Sequence, residues 1–299
     1  MQHTSIEWVK NPDGTQGYTW NPITGCNNQI DGMCKGGGFP CYAYRLANTR
    51  LREWYLANKN VIPGKDGING LCYDLRYATP FYPRFWDKRI DEPLLHTKRR
   101  GIFTCDMSDL FGIGIPEEWT RKVLEVIRTN YEVNQYHDGD GSDRFYLLTK
   151  QPQNLIKWSP FPDNCWVGVT ATDHHSFAVA MNYLWDVKAT IKYISFEPLL
   201  GQIPPTPLLF SPSNANIGWL IIGAQTKPYK PPKIEHVREI VEAAGKAGIP
   251  VFLKPNLMPI FGDGCVDYWH KHVAYVRGGQ LRQEMPAHSY QKGASEMNR

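Results

Sequence analysis

Six short apolar runs, separated by longer polar segments, constrain the fold of this chain most strongly. They lie at 101–105, 145–149, 165–170, 193–196, 219–223 and 251–254. Each is rich in β-branched or aromatic residues and is bounded by polar residues, proline or glycine. This pattern is typical of strands that are buried on both faces of a parallel sheet.

Helical periodicity fills several of the gaps between these runs. Apolar residues recur every three or four positions in 117–129, 174–187 and 234–247. The alternation predicts βαβ units, whose right-handed crossovers favour a parallel sheet, either as a barrel or as a doubly wound fold. We therefore expect an α/β protein with one domain at 1–276 and a polar, fraying tail at 277–299. Segments at about 58–83 and at 204–215 interrupt the alternation and are expected to be an inserted loop and a surface excursion.

Composition excludes several classes of protein. Of the 299 residues, 42% are apolar, which is too many for a disordered chain. No apolar run approaches the ~20 residues that span a bilayer, so we expect no membrane partner. The first ten residues lack the layout of a signal peptide, which predicts a cytoplasmic protein. A formal charge of +4 is only a weak bias toward anionic partners.

Three of the seven cysteines crowd into one glycine-rich segment at 20–45. Cys26, Cys34 and Cys41 are separated by seven and six residues, and we expect the other four to be small buried hydrophobes. An odd number of cysteines in a cytoplasmic chain argues against a disulfide framework. Three thiolates suit an iron–sulfur cluster that keeps one iron open for a cofactor, with zinc or no metal as alternatives.

Several further motifs occur in a fixed order around this segment. They are WNPITGC at 20–26, CYA at 41–43, PFYPRFWDKRIDEPL at 80–94, MSDLF at 107–111, LLTK at 147–150, WVGV at 166–169, SFEPLLG at 195–201 and IIG at 221–223. Together they resemble the radical-SAM-like family of unknown function found in phage and bacterial genomes, which is distantly similar to spore photoproduct lyase. The resemblance runs through about 6–257. It departs from the family at the longer gap before Cys41 and at Gln225, where the family has a glutamate.

The resemblance implies a partial (β/α) TIM-like barrel of mostly parallel strands. Cys26, Cys34 and Cys41 would hold a [4Fe-4S] cluster whose open iron is chelated by S-adenosylmethionine. An electron from a donor such as flavodoxin or ferredoxin would cleave S-adenosylmethionine to methionine and a 5′-deoxyadenosyl radical, which abstracts hydrogen from a substrate. The protein would supply binding, orientation and exclusion of water.

In barrels of this kind, polar residues at the carboxyl ends of the strands form the site. Asp106, Ser108 and Asp109 are expected to bind the methionine ammonium group, with helix capping by Ser108 or Asp109 as the alternative. Lys150 is a candidate catalytic residue that could hold the cofactor carboxylate or a substrate phosphate, with a solvated lysine as the alternative. Tyr42 is expected to pack over the cluster or the adenine, with packing in the aromatic core as the alternative.

The later strands supply the remaining candidates. Thr170 and Thr172 are expected to bind the ribose, although threonine is also an ordinary strand residue. Glu197 lies inside an apolar run, where a carboxylate needs a partner or a shifted pKa, so we expect it to bind the ribose or act on the substrate. Gly223 and Ala224 are small enough for close approach of the adenine.

The substrate is harder to predict than the cofactor. Nucleic acid is the first candidate, because basic residues interleave with aromatic ones between Phe81 and Arg100; a solvated charged face is the alternative. A zinc-binding, non-catalytic nucleic-acid module is a competing function. A metal-independent barrel hydrolase that uses Asp106, Asp109 and Glu197 is another. Lys254 ends the last apolar run and is expected to meet an anionic group.

Overall fold

A computed structural model describes residues 1–62, 75–96, 98–135, 142–204, 215–262 and 264–287. Much of the expected loop at about 58–83 and of the expected excursion at 204–215 lies outside the described residues. Cys72 and the end of the expected tail, from 288 onward, also lie outside them.

Short strands and helices alternate along the chain. Its strands are β1 (Gln2–His3), β2 (Tyr18–Trp20), β3 (Ile23–Thr24), β4 (Gln29–Ile30), β5 (Met33–Cys34), β6 (Arg84–Phe85), β7 (Gly101–Thr104), β8 (Arg144–Thr149), β9 (Cys165–Thr170), β10 (Ile191–Phe196), β11 (Ile217–Ile222), β12 (Gln225–Thr226), β13 (Tyr229–Lys230), β14 (Val251–Leu253), β15 (Tyr268–His270), β16 (Val273–Arg277) and β17 (Gln280–Leu281). Its α-helices are α1 (Tyr42–Ala47), α2 (Arg52–Ala57), α3 (Leu75–Ala78), α4 (Glu117–Gln135), α5 (His174–Leu184) and α6 (Ile234–Ala247). Short 3-10 helices lie at Asp87–Arg89, Glu92–Leu95, Pro152–Asn154, Ile156–Trp158 and Pro255–Phe261.

The apolar runs and the helical periods predicted these elements well. The six runs form β7 to β11 and β14, and the three periodic stretches form α4, α5 and α6. Helix α4 continues to Gln135, beyond the predicted end at 129, whereas α5 ends at Leu184, before the predicted 187. None of the helices in the described residues is long and apolar enough to cross a membrane.

The main sheet has eight strands in the order β1-β2-β7-β8-β9-β10-β11-β14. All neighbours from β2 to β14 are parallel, and only β1 pairs in the antiparallel direction. The prediction of a mostly parallel α/β sheet is therefore confirmed. In the described part of the chain, the two edges of this sheet do not pair with each other.

The two faces of the sheet have different cores. Helices α4, α5 and α6 pack on one face with aliphatic side chains such as Val123, Ile127 and Ile240. The other face carries an aromatic cluster that consists of Trp8, Val9, Phe103, Tyr146, Trp166, Tyr193, Trp219, Ile221 and Phe252. Gly168 makes room for this cluster, since a Cβ there would lie 2.3 Å from the ring of Tyr193. The aromatic cluster fills this face of the sheet below the site described next.

Residues after the expected boundary at 276 also take part in the fold. Strands β16 and β17 form a hairpin, and the chain then returns to the edge of β14. The amide of Leu253 donates to the carbonyl of Arg282 at 2.8 Å, and the amide of Glu284 donates to the carbonyl of Val251 at 3.0 Å. The edge of the main sheet is covered by these bonds, so the fold extends beyond 276.

Candidate functional site

A cavity of about 690 Å³ opens at the carboxyl ends of the parallel strands. It brings together residues that are far apart in the sequence. Those of the predicted residues that line it are Cys26, Cys34, Cys41, Tyr42, Asp106, Ser108, Asp109, Lys150, Thr170, Glu197, Ala224 and Lys254. Thr172 and Gly223 do not line it. The carboxyl edge predicted from the strand pattern is thus the place where most of the candidates meet.

The cysteine segment is fixed by hydrogen bonds to the loop that follows β7. The amide of Gly25 donates to the carbonyl of Met107 at 2.9 Å, and the hydroxyl of Ser108 donates to the carbonyl of Gly25 at 2.6 Å. Gly36 lies directly on Lys150, because a Cβ at Gly36 would be 2.8 Å from the Cβ of Lys150. A glycine at this position lets the segment approach the end of β8.

Two of the three sulfurs accept a backbone N–H from a residue shortly after them. Asn28 donates to Cys26 at 3.3 Å, and Tyr44 donates to Cys41 at 3.5 Å. An N–H of Gly36 likewise lowers the pKa of Cys34. Hydrogen bonds to sulfur stabilise the thiolate and tune iron–sulfur clusters.

Burial opposes ionisation of the Cys26 and Cys34 thiols in the absence of a metal. It raises the pKa of Cys26 to about 12, with a further contribution from the charge of Asp109. Burial also raises the pKa of Cys34, and the charge of Cys41 adds to this effect. Metal ligation requires thiolates, so loading this segment would release protons to solvent.

The donor set fits an iron–sulfur cluster in its chemistry. Three soft sulfur donors line one cavity, two of them accept backbone N–H groups, and the ammonium of Lys150 is close enough for the thiolates to influence its pKa. Among the described residues, no group of three or more His, Cys, Asp or Glu side chains is arranged to hold a metal ion. The sulfurs therefore share a cavity without forming a closed coordination site.

Lys150 lies at the centre of the negative groups. Burial alone would lower its pKa, but the charges of Cys34, Asp109, Cys41 and Cys26 raise it. Its ammonium also lies 5.9 Å from the ring centroid of Phe39 on the cysteine segment. A protonated Lys150 offsets the negative charge that three thiolates would bring into the cavity.

Asp109 is used by the protein itself. Its carboxylate accepts the hydroxyl of Thr149 at 2.8 Å, the amide of Lys150 at 3.0 Å and the amide of Phe111 at 3.2 Å. These bonds join the loop after β7 to the end of β8. Helix capping was the alternative role expected for Asp109. Its bond to the amide of Phe111 is of this kind, but it caps a turn and not a helix.

Asp106 is the carboxylate of this loop that faces the cavity with the fewest partners. Asn21 donates to its Oδ1 at 2.5 Å, and the hydroxyl of Tyr42 donates to its backbone carbonyl. Burial raises the pKa of Asp106 to about 6, against the opposing hydrogen bonds of Asn21 and Tyr42. The side chain can therefore change its charge near neutral pH.

The raised pKa predicts a pH-dependent stability. The folded metal-free protein holds the proton of Asp106 more tightly than the unfolded chain, because the pKa rises from 3.8 to about 6 on folding. Stability contributed by this group is thus lost as the pH rises through that window. Relative to Asp106→Asn, the metal-free wild-type protein should lose free energy of unfolding between pH 4 and pH 6 in urea titrations. A constant difference between the two proteins across this range would contradict the assignment.

Glu197 has the partner that its apolar surroundings require. Its carboxylate forms an ion pair with the ammonium of Lys254 and accepts the indole N–H of Trp8 at 3.3 Å. Lys254 also lies 3.3 Å from Glu7, so the anionic group expected near Lys254 is a pair of carboxylates. Burial opposes the charge of Lys254, but Glu197 and Glu7 raise its pKa. Gly223 leaves room for this ion pair, since a Cβ there would lie 2.9 Å from the Cδ of Lys254.

Of the two threonines expected to bind the ribose, only Thr170 lines the cavity. Thr170 ends β9, is buried and lines the cavity. Thr172 instead belongs to the turn before α5, where its amide donates to the hydroxyl of Ser176 at 2.9 Å and its carbonyl accepts the amides of Leu200 and Gly201.

Ser195 is a candidate that the sequence analysis missed. It pairs with Thr170 in the sheet register, lines the cavity and is only 1% exposed. Its hydroxyl has no hydrogen-bond partner among the described residues. A buried hydroxyl without a partner is costly, so at the wall of a cavity it is a candidate contact for a ligand. The sequence did contain a signal for Ser195. Side chains alternate along a strand, so Ser195 lies on the same face as Glu197, two positions later.

The predicted basic and aromatic surface is wrong at two of its six basic residues, Arg84 and Arg100. Arg84 is fully buried and donates to the carbonyls of Asn58 at 2.7 Å and Thr79 at 2.9 Å. Arg100 is 5% exposed and pairs with Asp143. Arginine stems pack in the interior here while their guanidinium groups satisfy carbonyls and a carboxylate. These residues do not form a nucleic-acid face.

A comparison with known families matches residues 3–259 to a family described as protein of unknown function (DUF5131). The chain belongs to this family. The matched range includes the cysteine segment, the parallel strands and Lys254. No curated protein and no solved structure matches the chain.

Proposed function

We propose that this protein is a radical S-adenosylmethionine enzyme. Cys26, Cys34 and Cys41 would hold a [4Fe-4S] cluster, and S-adenosylmethionine would bind in the adjoining cavity. The observation that carries this proposal is the meeting of three sulfurs, two of which accept backbone N–H groups, with Lys150 at the carboxyl edge of a parallel sheet. When bound, the cluster and S-adenosylmethionine supply an electron and a 5′-deoxyadenosyl radical for hydrogen abstraction.

The arrangement of the sheet supports a partial (β/α) TIM-like barrel. Seven parallel strands follow one another in chain order. Because crossovers are right-handed, each one then passes over the same face of the sheet. Helices α4, α5 and α6 pack on one face, and the aromatic cluster fills the other. Sites in such folds lie at the carboxyl ends of the strands, where the cavity opens.

The residues of the chain divide the binding work in this proposal. Asp106, oriented by Asn21 and Tyr42, offers a carboxylate to the amino group of S-adenosylmethionine. Thr170 and Ser195 offer hydroxyls to the ribose, and Ala224 lets the adenine approach the end of β11. The four residues that would contact S-adenosylmethionine, Asp106, Thr170, Ser195 and Ala224, line the same cavity as the sulfurs.

Glu197 and Lys150 are the proposed catalytic residues. Lys254 and Trp8 hold the Glu197 carboxylate at the rim of the strands, from where it faces bound substrate. Lys150 keeps a positive charge beside the sulfurs and Asp109. A hydrolase that uses Asp106, Asp109 and Glu197 is less well supported, because Asp109 is already occupied by three protein donors.

The proposed setting is the cytoplasm, where thiols stay reduced. There an electron donor such as flavodoxin or ferredoxin would reduce the protein. A zinc-binding, non-catalytic module remains the alternative that the following experiment separates from catalysis.

The test is S-adenosylmethionine cleavage by anaerobically purified and reconstituted protein. With dithionite and S-adenosylmethionine, we expect 5′-deoxyadenosine and methionine in equal amounts, measured by liquid chromatography and mass spectrometry. Samples without dithionite, and samples of the Cys34→Ser variant, are expected to give neither product. Equal product from the variant, or no product from a fully loaded wild-type protein, would contradict the proposal.

A further inference from the structure

The charges inside the cavity are largely balanced by one another. Lys254 is paired with Glu197 and Glu7, and Lys150 lies among Asp109 and the sulfurs. The interior therefore has little charge left to attract a large ionic substrate. Recognition of such a substrate has to come from the mouth of the cavity.

One side of the mouth is formed by α1 and the turn that follows it. Arg45 and Arg50 line the cavity and are exposed, and neither forms an ion pair with an acidic side chain of the described residues. Trp54 follows on α2 and is 48% exposed. Its ring is held in place by Trp86, at 5.2 Å between centroids, and by the guanidinium of Arg89 at 4.5 Å.

The other side of the mouth is the β12–β13 hairpin, which comes from the opposite end of the strand order. Lys227 lines the cavity, and Lys230 follows it on the same hairpin. Both are exposed and, within the described ranges, have no carboxylate partner. Tyr229 lies between them and is 46% exposed, with its hydroxyl bonded to the carbonyl of Asn256 at 3.0 Å.

Acidic side chains do not offset these cations. Among the described residues that line the cavity, Asp31 is the one exposed acid. Arg45, Arg50 and Lys227 thus line the cavity without ion pairs to described acids. A half-exposed aromatic ring lies on a neighbouring element on each side, Trp54 on α2 and Tyr229 on the β12–β13 hairpin, just outside the residues that line the cavity. Cations that track a phosphate backbone, together with aromatic platforms on which bases stack, are how proteins bind single strands without reading a sequence.

We propose that the two sides of this mouth bind single-stranded nucleic acid and present it to the cavity. Arg45, Arg50, Lys227 and Lys230 contact the phosphates, and Trp54 and Tyr229 stack on unpaired bases. This inference rests on the proposed function only for the reaction that follows binding. It differs from the basic surface expected between Phe81 and Arg100, where Arg84 and Arg100 are buried.

The test is fluorescence anisotropy of a labelled 20-nucleotide strand with the full-length protein, in the absence of S-adenosylmethionine. We expect the Arg45→Gln/Arg50→Gln variant to bind about tenfold more weakly and to reduce the slope of log K against log salt by about 1.4, since each phosphate contact on a single strand contributes about 0.7. Trp54→Ala is expected to weaken binding about fivefold or more, with little change in the salt slope.

The matched control is Lys246→Gln/Arg277→Gln, which removes the same charge from exposed residues of another groove, between α6 and the C-terminal hairpin. This variant should bind like the wild-type protein. Equal weakening by both double variants would overturn the proposal, as would absence of binding or tighter binding of duplex. A mononucleotide that competes as well as the strand, at equal phosphate concentration, would show that the site binds single nucleotides. That result would also overturn the proposal.

The outcome is separable from that of the proposed function. Binding is measured without S-adenosylmethionine, whereas cleavage of S-adenosylmethionine is measured without nucleic acid. Cleavage without strand binding would overturn this inference alone. Strand binding by protein that holds zinc and forms no 5′-deoxyadenosine would overturn the proposed enzyme and leave the strand site in place.

Discussion

Replacing Cys34 by serine is expected to remove nearly all of the iron from the protein. Reconstituted wild-type protein should hold about four irons per chain, and the variant fewer than about one, because the cluster would lose one of its three protein ligands. Cys34 is 8% exposed on the β4–β5 hairpin and lines the cavity. We expect the same loss for Cys26→Ser and Cys41→Ser, and with it the loss of 5′-deoxyadenosine formation.

A cysteine outside the site provides the control. Cys265 does not line the cavity, and its sulfur lies 3.6 Å from the carbonyl of Asp267. Cys265→Ser should retain wild-type iron and sulfide. Circular dichroism and thermal unfolding of each variant show whether it has folded. Unchanged iron in a folded Cys34→Ser variant would contradict the assignment of the ligand.

Replacing Asp143 by alanine is expected to cause the largest loss of stability. Asp143 accepts the amide of Arg100 at 2.8 Å and two guanidinium nitrogens at 3.1 and 2.6 Å, and Asn130 donates to it at 3.0 Å. Both side chains of the pair are buried, at 6% and 3% exposed. Removal of one partner leaves an uncompensated buried charge, which costs about 3–5 kcal/mol.

Urea unfolding provides the measurement. Asp186→Ala removes an exposed acid without a hydrogen-bond partner among the described residues, and it should change the free energy of unfolding by less than about 0.5 kcal/mol. Arg100→Met/Asp143→Leu removes both charges and should recover much of the loss. A cost below about 1 kcal/mol for Asp143→Ala would show that the guanidinium group finds solvent or another partner.

The strands and helices that form the main fold could be predicted because their signals are local. Buried parallel strands such as Cys165–Thr170 are continuously apolar, and helix α6 shows its period and its terminal Gly248 within the sequence. The carboxyl-edge rule then placed Asp106, Lys150 and Glu197 at one cavity. These inferences need only the repeat of apolar residues and the handedness of crossovers.

Whether an individual arginine is buried or exposed could not be predicted in this way. Arg84 and Arg100 lie near aromatic residues in the sequence, yet their partners are carbonyls and a carboxylate contributed by other segments. Asp143 lies 43 positions away from Arg100. Sequence neighbours show that charges are close along the chain, but burial depends on contacts between distant segments.

The finer composition of the site depends on register. Thr170 and Thr172 look equivalent in the sequence, but the strand ends at Thr170, and the chain turns into the cap of α5 before Thr172. The strand period alone places Ser195 on the face of Glu197. Its register with Thr170, and the lack of a hydrogen-bond partner for its hydroxyl among the described residues, are known only from the structure. The paired carboxylates around Lys254 likewise require Glu7 to be brought from the start of the chain.

The most direct test of the central claim is the metal content of protein purified without oxygen. We predict about four irons and about four acid-labile sulfides per chain, with zinc near zero, because three cysteine ligands and an open position suit a [4Fe-4S] cluster. Addition of S-adenosylmethionine to the reduced protein should then change its electron paramagnetic resonance spectrum. Stoichiometric zinc, or no metal after anaerobic reconstitution with iron and sulfide, would contradict the account and favour a non-catalytic binding module.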